Sequence, residues 1–278
     1  MNQAERDKAI YYLARDYLLQ LEIKGVTSGT LDKYLTMAES RPRPASVAGI
    51  YESILESAQN ANMKAKVIGG AIGGIDKLSV VLYDFQPKVV LETYPTWESV
   101  LDEVVARLNP AGKIRRTARS LWPHYCRTIL SAAQFMAQFS SADEFYHWVD
   151  FFDTDDRARP GLPMLLDNEV EGFGFALACD FLKELGYVNF AKPDVHLRDI
   201  FTGLRLCHPK VSDYQMFKAI IRVAKNAQVT PYNADKLFWL IGSGFFYDDP
   251  GIGVQGKIGS HKAEFISWAR KQLNEAAD

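Results

Sequence analysis

Apolar residues recur at helical spacing along most of the chain, and this periodicity constrains the fold more than any other feature. Residues 3–22 predict an amphipathic helix with its apolar side chains near one face. Thr96 and Ser141 precede further segments of this kind and are suited to cap them. Only residues 79–83 and 88–92 have the apolar character of strands, and short helices are equally compatible there. The pattern therefore predicts an all-α fold.

Composition and charge are those of an ordinary globular protein. Of the 278 residues, 47% are hydrophobic and 24% are charged, with a net charge of −2. Bulk charge does not point to a nucleic-acid partner, although a local basic patch is enough to contact phosphates. Cys126, Cys179 and Cys207 form no CxxC motif or metal-type cluster, so we expect no metal and no cofactor.

The N-terminal segment bears charges throughout and does not have the uninterrupted apolar core of a signal peptide. No run of the chain approaches the roughly 20 apolar residues that a membrane span needs. By elimination we expect a cytoplasmic protein that does not bind membranes.

A Gly-Phe-Gly turn at 172–174 separates two predicted helices. Glycines permit backbone conformations that other residues avoid and allow close approach to a ligand. The backbone amides of Gly174, Phe175 and Ala176 would lie at a helix N-terminus, which favours an anion such as one backbone phosphate. Nothing nearby supplies the GK[ST] of a nucleotide-binding loop. A plain connection between two helices explains the turn equally well.

The stretch from about 165 to 205 resembles the helix-hairpin-helix DNA glycosylase superfamily, and is most similar to its archaeal 8-oxoguanine glycosylase branch. Gly172, Gly174 and Ala178 fit the GxGxxxA hairpin, and Asp194 fits the acid that opens a later helix. The resemblance implies a two-lobed helical bundle in which residues 1–278 form a single glycosylase-like unit. The hairpin would occupy about 163–186 and grip DNA.

Asp194 is the residue to which the resemblance assigns catalysis. Cleavage of an N-glycosidic bond develops positive charge on the sugar. A carboxylate below that sugar stabilises the charge and can deprotonate the attacking water. We expect the helix dipole to keep Asp194 ionised. The alternative is a helix cap without any chemistry.

Bifunctional members of the superfamily attack the sugar with a lysine and form a Schiff base. The usual position directly after the hairpin glycines is occupied here by Ala176, and no lysine occurs between Lys113 and Lys183. Lys183 and Lys192 remain unusual candidates for the amine. We therefore predict a water nucleophile and no lyase activity. The four-cysteine iron–sulfur loop of some relatives is absent as well.

Candidate DNA contacts lie outside the hairpin too. Residues 113–139 predict one or two helices, broken or kinked at Pro123, whose first part bears arginines and no acid. A solvated helical face is the alternative. The candidate phosphate-binding residues are Arg115, Arg116, Arg119, Lys192 and Arg198.

A base flipped from the duplex needs a pocket that stacks on it and reads its edge. Gln59, Asn60 and Asn62 are candidates for reading the edge, and His196 and Trp239 for lining the pocket, although core packing explains any single aromatic as well. We interpret Asp235 and Lys236 as neighbours that could pair on a helix surface.

The sequence as a whole predicts a monomeric, monofunctional DNA glycosylase acting on double-stranded DNA with a flipped base. One candidate substrate is a modified base of phage DNA, which would make the activity antiviral. The alternatives are a non-catalytic DNA-binding or damage-sensing protein and a helical interaction domain with a coincidental turn.

Overall fold

The computed structural model describes residues 1–60, 67–247 and 249–274. Within these ranges it contains helices and two isolated β-bridges but no strand, which confirms the all-α prediction. None of the described helices has both the length and the apolarity to span a membrane. The α-helices are α1 (Gln3–Gln20), α2 (Ser28–Leu35), α3 (Val47–Ala58), α4 (Val67–Ile72), α5 (Pro87–Thr93), α6 (Trp97–Leu108), α7 (Leu121–Met136), α8 (Ala142–Asp153), α9 (Gly161–Glu169), α10 (Gly174–Glu184), α11 (Val195–Gly203), α12 (Asp213–Ala227), α13 (Pro231–Ser243) and α14 (Lys262–Gln272).

Two 3₁₀ helices, Met37–Ser40 and Ile75–Val80, complete the helical elements of the described ranges. The two ambiguous apolar runs are resolved as helix and turn. Residues 88–92 lie within α5, and residues 79–83 run from the end of a 3₁₀ helix into a turn.

The chain divides into two compact units. Unit 1 comprises Met1–Arg41 and Leu182–Asp278, and unit 2 comprises Pro42–Phe181. The boundary at residues 181 and 182 falls within α10, so the hairpin turn belongs to unit 2 and Asp194 belongs to unit 1.

The predicted helix caps at Thr96 and Ser141 are present. The Thr96 side chain accepts from the N–H of Ser99, and the Ser141 side chain accepts from the N–H of Glu144. The Glu144 carboxylate accepts from the backbone N–H of Ser140, one residue before the cap. These bonds satisfy donors that a helix start otherwise leaves without partners.

In unit 1, a fully buried carboxylate joins α1 to α12. Asp7 Oδ2 accepts from Arg222 Nε at 2.8 Å and from Asn226 Nδ2 at 2.8 Å, while Gln3 donates to Oδ1. The Arg222 guanidinium also donates to the Leu206 carbonyl at 2.8 Å. A buried charge is tolerated only with such partners, so this network specifies how α1 packs on α12.

In unit 2, two buried tyrosines join α3 and α7 reciprocally. The Tyr51 hydroxyl donates to the carbonyl of Ile129 at 2.8 Å, and the Tyr125 hydroxyl donates to the carbonyl of Leu55 at 2.9 Å. Burial raises the pKa of both phenols well above its ordinary value, so both remain neutral donors.

We predict that Asp7→Ala lowers the free energy of unfolding by about 3 kcal/mol, because it leaves Arg222 and Asn226 without their buried acceptor. Urea unfolding measures this change. Asp167→Ala, which removes an exposed carboxylate from α9, is the matched control and should stay within about 0.5 kcal/mol of the wild type. Equal effects of the two substitutions would contradict the assigned role of Asp7.

Candidate active site

The turn between α9 and α10 has the glycine-dependent geometry expected of a hairpin. Gly172 and Gly174 have φ angles of +76° and +70°, which side-chain-bearing residues rarely adopt. A Cβ atom on Gly172 would lie 2.3 Å from Nε2 of His124, whereas one on Gly174 would meet nothing within 4 Å. Gly172 is therefore required for both backbone conformation and space, and Gly174 for conformation alone.

Side chains of α7 hold this turn in place within unit 2. Thr128 Oγ1 donates to the Glu171 carbonyl at 2.7 Å, and the Glu171 N–H donates to Ser131 Oγ at 2.9 Å. The Glu171 carboxylate accepts from Arg127 Nε at 2.6 Å. Both polar groups of the Glu171 backbone are thus satisfied by the protein, which fixes the turn immediately before α10.

The start of α10 presents backbone N–H groups that have no acceptor within the helix. Gly174 and Ala176 are partly exposed there, whereas the side chain of Phe175 is buried and packs in the interior. This arrangement is suited to one anionic oxygen at the helix N-terminus. Ala176 supplies no amine.

Asp194 caps α11. Its Oδ1 accepts from the backbone N–H groups of His196 at 2.8 Å and Leu197 at 3.0 Å. No described residue is hydrogen-bonded to Oδ2, so this oxygen keeps its capacity to accept from a ligand or a water. Oδ1 of Asp194 therefore caps the helix, and Oδ2 remains able to contact a ligand or a water.

Burial acts against ionisation of Asp194. Removal from solvent and, next, the negative charge of Asp235 raise its pKa. The Leu197 N–H, Lys192 and His196 lower the pKa but do not cancel the rise. Desolvation therefore outweighs the capping bonds in setting the direction of the Asp194 pKa, and the ionised state of Asp194 stays a prediction.

A buried ion pair lies in the same unit. Lys183 Nζ of α10 is 2.9 Å from Asp235 Oδ2 of α13, and the two side chains are 6% and 1% exposed. The expected surface pair of Asp235 and Lys236 is therefore wrong: Asp235 pairs with Lys183 in the interior. A lysine amine engaged in a buried ion pair is less available as a nucleophile.

Lys236 lies instead among aromatic rings. Its Nζ is 5.4, 5.0 and 4.6 Å from the ring centroids of Tyr232, Trp239 and Tyr247, and it is hydrogen-bonded to the Tyr247 hydroxyl. Trp239 and Tyr247 are stacked at 5.5 Å with an interplanar angle of 27°. Trp239 is partly exposed, so a ring that contacts a cation is also partly accessible.

The other proposed pocket residues divide between the units. Gln59 is buried in unit 2 and its Oε1 accepts from the Gly69 N–H at 3.2 Å, which joins α3 to α4. Asn60 is half-buried, and its Oδ1 has no hydrogen-bond partner among the described residues. Asn62 lies outside the described residues. His196, in unit 1, packs against Gly242, and its buried Nδ1 has no partner within the described ranges.

The basic segment before α7 is not helical. Residues 113–120 form a loop and turn, and Pro123 lies in the first turn of α7, where proline is tolerated, so the predicted break or kink at Pro123 is wrong. Arg115, Arg116 and Arg119 are exposed, and Arg116 is paired with Asp102. These arginines remain available to phosphates at modest cost, since exposed pairs are weak.

Arg198 already has protein acceptors. Its guanidinium donates to the Val211 carbonyl at 2.8 Å and to Asp213 at 2.6 Å, which anchors α11 to the start of α12. Lys192 is partly exposed, and its backbone N–H donates to Asp235. Among the described residues, no His, Cys, Asp and Glu side chains cluster as metal ligands would.

Sequence reasoning missed the pair of Lys183 and Asp235. The two residues are 52 positions apart. The helical periodicity does not distinguish Lys183 in α10 or Asp235 in α13 from the exposed charged residues of the chain. The only available signal was their placement inside otherwise apolar helical segments.

Comparison with known proteins yields little. No family model and no curated protein matches the chain. A similar solved structure is the crystal structure of Methanocaldococcus jannaschii 8-oxoguanine glycosylase/lyase in complex with a 15mer DNA containing 8-oxoguanine. The TM-score is 0.49 at 14% identity, over 82% of this chain and 94% of that one. A likeness this distant leaves the activity of this chain to be argued from its own residues.

We predict unequal costs for alanine in the hairpin. Gly174→Ala should lower the free energy of unfolding by about 1 kcal/mol, because only the left-handed backbone is strained. Gly172→Ala should cost about 1–3 kcal/mol more, since its Cβ would also displace His124. Chemical denaturation of both variants measures the difference. A Gly172→Ala variant as stable as Gly174→Ala would show that His124 does not confine the turn.

The raised pKa of Asp194 predicts a pH-dependent stability difference. Since the folded pKa lies above the unfolded one, the ionised form destabilises the fold above that pKa, and the effect disappears below the unfolded value. Asp194→Asn keeps a capping oxygen and removes the charge. At pH 7 the variant should be at least as stable as the wild type, and its advantage should shrink as pH falls. A loss of more than about 1 kcal/mol at pH 7 would instead indicate a purely structural carboxylate.

Proposed function

We propose that this protein is a monofunctional DNA glycosylase, which hydrolyses the N-glycosidic bond of a damaged or modified base in double-stranded DNA and leaves an abasic site. The observation that carries the proposal is Asp194. Its carboxylate is held by two backbone N–H groups on one oxygen, and its other oxygen is left without a partner among the described residues. A helix cap alone does not require a desolvated carboxylate of raised pKa.

The proposed reaction uses water as the nucleophile. As the bond between C1′ and the base nitrogen breaks, its electron pair leaves with the base and the sugar becomes positively charged. Asp194 stabilises that charge and accepts a proton from the water whose oxygen bonds to C1′. A raised pKa suits a proton acceptor, because basicity and pKa rise together.

The lysines support hydrolysis over covalent catalysis. Ala176 occupies the usual lysine position, and Lys183 is held in a buried ion pair with Asp235. Without a Schiff base the enzyme has no route to β-elimination, so strand cleavage should need a separate treatment.

The hairpin supports DNA as the partner. Its glycine-dependent turn and the amides at the start of α10 are suited to a backbone phosphate, and the exposed Arg115, Arg116 and Arg119 add cations to the same unit. With a net charge of −2, the affinity should be modest and sensitive to salt. We propose that the protein binds as a monomer and flips the target base.

Trp239 and His196 are the proposed pocket residues that share unit 1 with Asp194. Trp239 has an exposed part, and the buried His196 Nδ1 can accept or donate one further hydrogen bond. We propose that they contact the flipped base. A modified base of phage DNA is one substrate class to test, because abasic sites in an infecting genome block its replication.

Asp194→Asn should lower the rate of base release about 10²–10⁴-fold, because the proton acceptor is lost while the helix cap is kept. The assay incubates duplexes that contain a panel of damaged and modified bases and then cleaves abasic sites with alkali. Asp167→Asn, in which an exposed carboxylate is neutralised, is the control and should retain the wild-type rate.

The same reactions distinguish the competing functions. Salt-sensitive DNA binding without base release from any substrate would favour a non-catalytic DNA-binding protein. Borohydride should trap no covalent protein–DNA adduct, and a trapped adduct would refute the water nucleophile. Absence of DNA binding would leave a helical interaction domain.

A further inference from the structure

The ion pair of Lys183 and Asp235 is deeply buried, and stability alone does not explain why two charges lie there. The two side chains are 6% and 1% exposed and are joined at 2.9 Å. Taking two charges out of water costs several kcal/mol per ion, and well-packed apolar residues in their place are often neutral or stabilising (about 1–4 kcal/mol). The contacts of the pair indicate a role other than stabilising the fold.

Asp235 also holds the backbone that leads to Asp194. Its Oδ2 accepts from the backbone N–H of Lys192 at 2.7 Å, and the Lys192 carbonyl accepts from the Asp194 N–H at 2.8 Å. A continuous chain of hydrogen bonds thus runs from the Lys183 ammonium, through the Asp235 carboxylate, to the backbone of Asp194. It fixes the segment from which α11 begins.

The second oxygen of Asp235 is unusual. Oδ1 is buried and has no hydrogen-bond partner among the described residues. An unsatisfied buried acceptor costs about 1–3 kcal/mol, so this geometry is retained at a cost. Its charge also acts on Asp194, whose pKa it raises second only to burial.

We propose that Asp235, paired with Lys183, is a positioning residue for Asp194: its carboxylate holds the Lys192 backbone N–H, and so fixes the segment from which α11 begins and sets the charge that the Asp194 carboxylate faces. Its consequence for catalysis rests on the proposed glycosylase function. Its effect on the Asp194 carboxylate does not, and can be measured in the protein without DNA.

The other charged groups near Asp194 act in the opposite direction or are engaged elsewhere. Lys192 in the preceding loop and His196 on α11 lower the Asp194 pKa. On α13, the Lys236 ammonium lies among the rings of Tyr232, Trp239 and Tyr247. From α14, Lys262 reaches α11 but pairs with Asp199. Asp235 is therefore the charge whose removal should make Asp194 more acidic.

The test is a carbon-13 NMR titration of the Asp194 carboxyl group, assigned by the loss of its signal in Asp194→Asn. Asp235→Asn keeps an oxygen for the Lys192 N–H and removes the charge, so the Asp194 pKa should fall. The double variant Lys183→Met with Asp235→Asn also removes the unpaired ammonium and should keep most of that shift. Asp199→Asn, which neutralises an exposed carboxylate on α11, is the matched control and should leave the Asp194 pKa unchanged.

An Asp194 pKa that is the same in the wild type and in the folded double variant would overturn the proposal. Base release provides the second readout: the acidic limb of the pH–rate profile should move to lower pH with the NMR value, with kcat reduced and DNA affinity retained. Variants that alter which base is released, without moving the titration, would identify Asp235 as a base contact and overturn the positioning role. A wild type that releases no base would defeat the proposed function, whereas the titration would still decide the role of Asp235.

Discussion

The Asp235 carboxylate accepts from the Lys183 ammonium and from the Lys192 backbone N–H, and these contacts join α10 and α13 to the loop before Asp194. Loss of either partner would leave an uncompensated charge in the interior and strongly destabilise the fold. Lys183 and Asp235 therefore have to be present together. The position of the candidate catalytic carboxylate therefore depends on a charge on another helix.

Asp194 itself combines two demands that usually conflict. As a helix cap it is stabilised by two N–H donors, which favour the ionised form. Burial and the neighbouring Asp235 disfavour the same form, and their effect is larger. A carboxylate in this balance is held rigidly yet remains a better base than an exposed aspartate, which is the combination that deprotonation of a bound water needs. A carboxylate whose pKa is perturbed in this way does not help the protein to fold, but it suits a residue that takes part in a reaction.

The sequence was enough to predict local features of the fold, such as helix caps and turns. It was not enough to predict contacts between residues that lie far apart in the chain. The caps at Thr96 and Ser141 and the glycines of the hairpin were readable, because each depends on a few neighbouring residues. The helical start of α7 was misplaced, since arginine-rich residues 113–120 have helical propensity and yet lie in a loop. The partner of Asp235 could not be predicted: Lys236 adjoins it, whereas Lys183 is 52 residues away and is brought near only by helix packing. The departure of Asp194 from a simple cap was equally hidden, because burial is a property of the folded protein.

Mass spectrometry of the free bases released from DNA tests whether Asp194 directs hydrolysis of an N-glycosidic bond. Genomic DNA that contains modified bases, including that of phages, is incubated with the wild-type protein and with Asp194→Asn. We expect one released base species from the wild type, matched mole for mole by new aldehyde-reactive abasic sites in unbroken strands, and none above background from the variant. Equal release by both proteins, or no release from any DNA, would contradict this expectation.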